Sequence, residues 1–318
     1  MNLISRHYIK WIILGLLNVH MCGFTQQLSF AKSKQNKELS FNYTWSDHQD
    51  QTRDITFTLP LRQVNTQNHK KFIPDLAQQY VYIELHKAAR KIDPREARVQ
   101  IQHRGQDILI QVTSRSDKLF AKWQRSMDQS KKKALDQYLQ DNYYSHFQTY
   151  LGQQAIKPDH LRYIEENTAS LKPIAQAVYD KLPTNSETRN YVNLVLSWVQ
   201  SIPYNELKNR LTSNGAGYLP PLSVVANNQG DCDSKTVLMA SLIRSLLPEV
   251  KMIMVYLPNH ALLGIALPFR TNEQTLDIEG ADYLLMEPTG PAKIPLGEIA
   301  NRSARDIAGN MFSIEEVP

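Results

Sequence analysis

The chain has 318 residues, of which 42% are hydrophobic and 21% are charged, a composition typical of a globular protein large enough for two domains. Its net charge of +5 falls by two if Arg6 and Lys10 are lost with a leader segment. So weak a charge argues against nucleic acid as a partner. The two cysteines, Cys22 and Cys232, permit at most one disulfide.

The N-terminal segment has the layout of a secretory signal peptide. A basic stretch precedes the mostly apolar run 11–24, and the first acidic residue is Glu38. We expect residues 1–31 to contain the signal, with cleavage after Gly23 or after Ala31, and the protein to be periplasmic or secreted. The alternative is an uncleaved segment that anchors the protein or associates weakly with the membrane, although the run is short for a span.

Strand-like patterns dominate the first half of the chain. LSFNYTW, DITFTLP and YVYIEL predict strands, and RVQIQ and DILIQV predict a hairpin around HRGQ. Residues 117–151 carry apolar side chains at helical spacing and predict one long helix. The segment GQQAIKPD then breaks the pattern. We therefore predict a strand-rich domain with a long helix over 32–155 and a second domain over 156–318.

The second half begins with predicted helices over 161–182 and 187–201. In the segment NNQGDCDSKTVLMASLIRSLL, Gly230 permits a turn, Asp231 is a good N-cap, and apolar spacing continues a helix to Pro248. The runs VKMIMVYL, HALLGIALP and DYLLMEP follow as predicted strands, and their connections favour antiparallel pairing. The predicted fold class is α+β.

Cys232 is the first residue of this predicted helix. Free backbone amides and the helix dipole stabilise a thiolate at that position, which makes Cys232 a candidate nucleophile. Asp231 and Asp233 oppose this effect, because their charges disfavour a second negative group. The alternative is that Cys232 is a small buried hydrophobe, a common role of a free cysteine.

His260 opens one predicted strand and Glu287 nearly closes the next apolar run, so antiparallel pairing should bring imidazole and carboxylate together. A thiol, a histidine base and an acid that orients the histidine are the groups needed for thiol acyl transfer. The backbone amide of Cys232 is the first candidate oxyanion donor, and the side chain of Gln229 could add a second, although an ordinary loop role is favoured for Gln229. No zinc or phosphate-loop pattern occurs, so we expect no metal and no cofactor.

The blocks GDCDSKTVLMASLIRSL, NHALLGIAL and YLLMEPTGP resemble the transglutaminase-like superfamily in order and spacing. The upstream YVNLVLSWVQSIPYN is similar to the helix that precedes the cysteine loop in many members. The resemblance covers 161–291 and implies a papain-like core. In this core the helix that carries the cysteine packs on an antiparallel sheet, and the histidine and the acid follow the cysteine in the chain. The chain departs from the family at Glu287, where aspartate is usual, and at Ala261, where many members have an aromatic residue.

The resemblance implies amide-bond chemistry through a Cys232 acyl-enzyme. With water as the acceptor, the protein would be a cysteine peptidase or amidase acting on a protein or peptide in the cell envelope or outside the cell. With an amine as the acceptor, it would be a transglutaminase. A third hypothesis is a catalytically inactive binding module of an envelope assembly. We favour hydrolysis, because the polar loop before Cys232 and the missing aromatic after His260 give little exclusion of water.

Overall fold

The computed structural model describes residues 26–65, 69–105, 107–210 and 213–318. The described chain combines helices with antiparallel sheets, as the α+β prediction requires. The predicted signal lies outside the described residues except for its last part, 26–31, and Cys22 lies outside them too. No helix in the described ranges is long and apolar enough to cross a membrane.

The first sheet is an antiparallel meander of β1 (Gln27–Gln35), β2 (Glu38–Ser46) and β3 (Thr52–Pro60). Side chains alternate between buried and more exposed along β2 and β3, so one face of this sheet is apolar. That alternation allowed the sequence to predict both strands. β1 was not predicted, since most of its side chains are exposed and polar.

A second unit follows α1 (Leu61–Asn65) and consists of α2 (Pro74–Ala89), the hairpin of β4 (Arg98–Arg104) with β5 (Asp107–Thr113), and α3 (Asp117–Asp141). Its buried side chains form a hydrophobic cluster of their own. The predicted hairpin is confirmed.

The predicted strand YVYIEL is wrong, because these residues belong to α2. Pro74 occupies the first turn of this helix, where its missing N–H costs nothing. Ala77, Val81 and Leu85 are buried at four-residue spacing, close to the helical period of about 3.6 residues. Packing of this face against α3 outweighs the strand propensity of the tyrosine, valine and isoleucine side chains.

The predicted long helix 117–151 is correct only as far as Asp141. Tyr143 has a φ of +59°, which ends the helical conformation. A hairpin of β6 (Tyr144–Gln148) and β7 (Gln154–Pro158) replaces the expected last turns. The segment predicted to separate two domains therefore contains a strand.

The second half of the chain supplies the helices and the sheet that carry the predicted site residues. Its helices are α4 (His160–Tyr179), α5 (Thr188–Ser201), α6 (Pro221–Asn227), α7 (Cys232–Leu246) and α8 (Asn301–Ala308). Its strands are β8 (Met252–Leu257), β9 (His260–Ile265), β10 (Thr275–Ile278), β11 (Ala281–Met286) and β12 (Ser313–Glu316). They form one sheet of order β10-β11-β9-β8-β12, in which every pair is antiparallel.

One hydrophobic cluster joins the first sheet, helices α4 to α7 and one face of the large sheet. Phe57 of β3 packs edge-on against Trp198 of α5 at 6.0 Å between ring centroids. Tyr43 donates a hydrogen bond to the carbonyl of Val225 in α6 at 2.7 Å. The predicted ranges 32–155 and 156–318 therefore do not coincide with the hydrophobic clusters, because the first sheet shares its core with the second half.

Candidate active site

The loop before α7 places Cys232 at the first position of the helix, as its sequence predicts. The Asp231 carboxylate accepts a hydrogen bond from the Ser234 amide at 3.0 Å and caps the helix. A Cβ at Gly230 would lie 3.1 Å from the side chain of Lys235, so a larger residue fits poorly there. The Gly230 amide also donates to the Pro203 carbonyl, which ties this loop to the end of α5.

His260 and Glu287 are in direct contact. His260 opens β9, and Glu287 follows β11, the antiparallel neighbour of β9. His260 Nε2 and Glu287 Oε1 are 2.8 Å apart. The contact expected from antiparallel pairing is therefore present, and the additional methylene of glutamate does not prevent it.

Glu287 is held on both carboxylate oxygens. Its Oε2 accepts hydrogen bonds from the Ala300 amide at 2.9 Å and from the Ser303 hydroxyl at 3.3 Å, at the start of α8. Burial alone would raise the pKa of Glu287, but the hydrogen bonds from His260 and Ala300 outweigh it and lower the pKa. An ionised carboxylate only accepts hydrogen bonds, so His260 Nε2 carries the proton and Nδ1 is the basic nitrogen.

The first turn of α7 packs against the start of β9. The Thr236 hydroxyl donates to the Cys232 carbonyl at 2.8 Å and also lies 3.3 Å from the Ala261 carbonyl. The Cys232 thiol donates to Asp233 Oδ1 at 3.5 Å, and no hydrogen bond joins Cys232 to His260, both of which are described. In the catalytic role that the sequence predicts, the sulfur would have to turn away from Asp233 before His260 could take its proton. Such loose geometry is common in sites without substrate.

The electrostatic environment of Cys232 opposes ionisation. Burial raises the pKa of the thiol, and Asp233 and Asp231 raise it further when they are ionised. Burial and the neighbouring Asp233 also raise the pKa of Asp231 to about 7. The sequence argument that the helix start favours a thiolate therefore captures a smaller effect than burial and the two flanking acids.

Two residues that the sequence analysis did not single out connect α5 to the site. The buried Lys235 donates to the carbonyls of Gln200 and Ile202 at 3.2 and 2.7 Å. Gln200 Nε2 donates to the main-chain carbonyl of Glu287 at 2.9 Å. A Cβ at Gly290 would lie 1.9 Å from the Gln200 carbonyl, so glycine is required at this close approach. The signal in the sequence was a lysine on the apolar side of a helix.

The side chain of Gln229, the candidate oxyanion donor, is oriented by Asn205. Gln229 Oε1 accepts a hydrogen bond from Asn205 Nδ2 at 2.9 Å. The main-chain N–H of Asn205 also donates to the Gly230 carbonyl at 3.1 Å, which holds the two loops side by side. The oxyanion role of Gln229 stays a prediction.

A cavity of about 640 Å³ lies between the β2–β3 turn and α5, and neither Cys232 nor His260 lines it. Its lining includes His48, whose Nε2 is 2.9 Å from Gln200 Oε1. Gln200 thus contacts both this cavity wall and the Glu287 main chain. No group of three or more histidine, cysteine or acidic side chains in the described ranges is arranged to hold a metal ion.

Comparisons with known proteins return nothing that bears on these residues. No protein-family model, no curated protein and no solved structure matches the chain.

Proposed function

We propose that the protein is an exported cysteine peptidase or amidase with a transglutaminase-like, papain-like core. Cys232 would be the nucleophile, His260 the base and Glu287 the acid that orients the imidazole. The observation that carries the proposal is the hydrogen bond between His260 Nε2 and Glu287 Oε1 at 2.8 Å. It leaves Nδ1 as the basic nitrogen on a strand that packs against the helix of Cys232.

The reaction follows from these roles. His260 Nδ1 takes the thiol proton while the sulfur of Cys232 bonds to the carbonyl carbon of the substrate amide. The carbon–nitrogen bond then breaks, and His260 returns the proton to the leaving amine. Water, deprotonated by the same nitrogen, attacks the thioester and releases a carboxylic acid and the free thiol. Glu287 stabilises the imidazolium in both steps without taking a proton itself.

Exposure around the site supports water as the acceptor. The side chain of Tyr204 on the loop beside Gly230 is 49% exposed, and Cys232 itself is only half-buried. A transferase must hold an amine in attack position and keep water out. The exposure of Tyr204 and of Cys232 does not favour the exclusion of water, so we rank hydrolysis above transfer to an amine.

The second candidate is a non-catalytic binding module in an envelope assembly. The observation that favours it is the raised pKa of Cys232, which results from burial and from Asp233 and Asp231. In that case the thiol would react no faster than an ordinary buried cysteine, and loss of His260 would not change its rate.

The test incubates the purified protein with cell-envelope extract, a glutamine-bearing protein and a labelled primary amine, beside the Cys232→Ser variant. We expect new protein N-termini by mass spectrometry with the wild type and none with the variant. Amine incorporation that depends on Cys232, without new termini, would support transferase activity in place of peptidase activity. Neither product, together with His260-independent labelling of the thiol, would support the binding module.

A further inference from the structure

His160, the first residue of α4, is a fully buried histidine next to the candidate active site. Its ring stacks on Tyr218 at 5.2 Å and on Tyr256 at 5.7 Å, with interplanar angles of 30° and 27°. None of its surface is exposed. The two tyrosines therefore fix the plane of the imidazole, and only its two nitrogens have polar neighbours.

The proton on Nδ1 is determined by its partners. His160 Nδ1 and the Tyr256 hydroxyl are 3.0 Å apart, and that hydroxyl donates to Glu315 Oε2 at 2.8 Å. Lys157 forms an ion pair with the same carboxylate oxygen at 2.8 Å, so Glu315 acts as an ionised acceptor. The tyrosine proton is thus engaged by Glu315, and His160 Nδ1 must donate its own proton to the tyrosine oxygen.

The other nitrogen of His160 is directed at the acid that follows the candidate nucleophile. His160 Nε2 lies 3.9 Å from Asp233 Oδ2 and has no hydrogen-bond partner among the described residues. The other oxygen of Asp233 accepts the Cys232 thiol at 3.5 Å. A chain of polar contacts therefore runs from Cys232 through Asp233 and His160 to Tyr256.

We propose that His160 is a positioning residue that shares one proton with Asp233, so that the pair carries no net charge beside Cys232. The inference deepens the proposed function and rests on it. The proton lies either on Asp233 Oδ2, facing the neutral imidazole, or on His160 Nε2, facing the carboxylate. The two atoms, 3.9 Å apart, must approach by about 1 Å to form the hydrogen bond that shares it. Both arrangements remove one of the two negative charges that would otherwise oppose the Cys232 thiolate.

The pKa directions indicate where the proton rests. Burial lowers the pKa of His160 well below its usual range and raises the pKa of Asp233, although 35% of the Asp233 side chain remains exposed. Both directions shift the shared proton from His160 toward Asp233. Other charged or titratable groups also face the pair from the surrounding elements: Lys157, Glu315, His69, Tyr218, Tyr256, Asp231 and His260.

The neighbouring groups do not replace the shared proton. Lys157 is paired with Glu315 at 2.8 Å, so much of its charge is already compensated. Asp231 adds a negative charge, which favours the proton on Asp233 rather than opposing it. A basic partner lets an acid keep its proton to higher pH, because the neutral imidazole accepts a hydrogen bond only from the protonated carboxyl. Without His160, Asp233 should ionise at lower pH.

The test measures the alkylation rate of Cys232 against pH by peptide mapping, which requires no knowledge of the substrate. The proteins are the wild type, His160→Phe, Asp233→Asn and the double variant; phenylalanine keeps the stacking on both tyrosines. We expect His160→Phe to raise the pH midpoint of Cys232 alkylation by about one unit. At pH values below the midpoint, the reaction should then be about tenfold slower. We expect Asp233→Asn to match the wild type, and the double variant to match Asp233→Asn.

Two results would overturn the proposal. A midpoint in Asp233→Asn at least one unit below the wild type would show that Asp233 is charged in the native protein. An equal shift by His160→Phe in the presence and absence of Asp233 would show that His160 does not act through it. If His160→Phe fails to fold by circular dichroism, the comparison of wild type with Asp233→Asn still decides the charge.

A His260→Ala variant in the same series separates this proposal from the proposed function. If alkylation is insensitive to His260, the catalytic role of Cys232 fails, whatever the His160 variants do. If His260→Ala slows alkylation but the His160 and Asp233 variants leave the midpoint unchanged, the catalytic role stands and the shared proton is refuted.

Discussion

Gln200 Nε2 holds the main-chain carbonyl of Glu287 at 2.9 Å, and the same nitrogen donates to the Ile294 carbonyl at 2.8 Å. The side chain at the end of α5 thereby holds two points of the segment between β11 and α8, its first residue and a residue near its middle. The position of Glu287, and with it the orientation of His260, depends on a residue that contacts neither side chain.

Replacing Gln200 with alanine should therefore impair the site without touching its reactive groups. We expect the variant to lose about 1–3 kcal/mol of unfolding free energy, because one buried and one half-buried carbonyl lose their donor. The His260-dependent part of Cys232 alkylation should fall with it. The matched control is Gln176→Ala, which removes an exposed glutamine paired with Asp180 on α4 and should change neither quantity. Equal behaviour of the two variants would contradict the role of Gln200.

For Glu287→Gln, we expect catalytic turnover to fall by about two to four orders of magnitude, since the amide cannot stabilise the imidazolium. The variant should also be less stable at neutral pH. Because the folded-state pKa of Glu287 is lowered, its ionised form contributes stability above the unfolded pKa, about 4.3, and that contribution is lost as pH falls. The stability difference between wild type and variant should shrink in acid. Asp282→Asn is the control, as the nearby acid that would take the role if Glu287 did not.

Lys235 makes the free energy of unfolding depend on pH in the alkaline range, whereas Glu287 affects it in acid. Burial lowers its pKa to about 7, so the folded protein favours the neutral amine, whose two N–H groups match the carbonyls of Gln200 and Ile202. The unfolded chain binds more protons between pH 7 and about 10.4, so stability rises with pH over that range. We expect Lys235→Met to abolish this rise in urea unfolding measurements. Retention of the rise would assign it to another group.

The contacts of Gln26 and β1 favour one of the two predicted cleavage sites. Gln26 is buried and donates to the Ser197 carbonyl at 2.9 Å, and β1 begins at Gln27. Cleavage after Ala31 would remove this contact and about half of β1, whereas cleavage after Gly23 leaves both intact. We therefore expect the intact mass of the exported protein to correspond to a start at Phe24. A mass that begins at Lys32 would contradict this, and an intact Met1 in the membrane fraction would indicate an anchor.

The site residues that sequence predicted were those that local rules control. Gly230, Asp231 and the apolar period place Cys232 at a helix start, and the expected antiparallel pairing of their strands brings His260 close to Glu287. The strand predicted at YVYIEL failed because β-branched and aromatic residues also fit a helix face that packs against another helix. The contacts of Gln200 could not be predicted, since they join segments that are distant in the chain.

The shared core also determines when this protein is able to fold. Trp45 of β2 donates to the Ser197 hydroxyl, a contact between residues 152 positions apart, and Lys32 of β1 reaches the Ala226 carbonyl at 2.7 Å. The core under the first sheet is therefore incomplete until α5 and α6 have been synthesised, although α4 also packs against β3. Contacts of such long range slow folding, because the chain must close a large loop before they form. If the protein is exported as proposed, the chain must still be unfolded when it enters a translocation channel, and this order of contacts delays the native state until most of the chain is available.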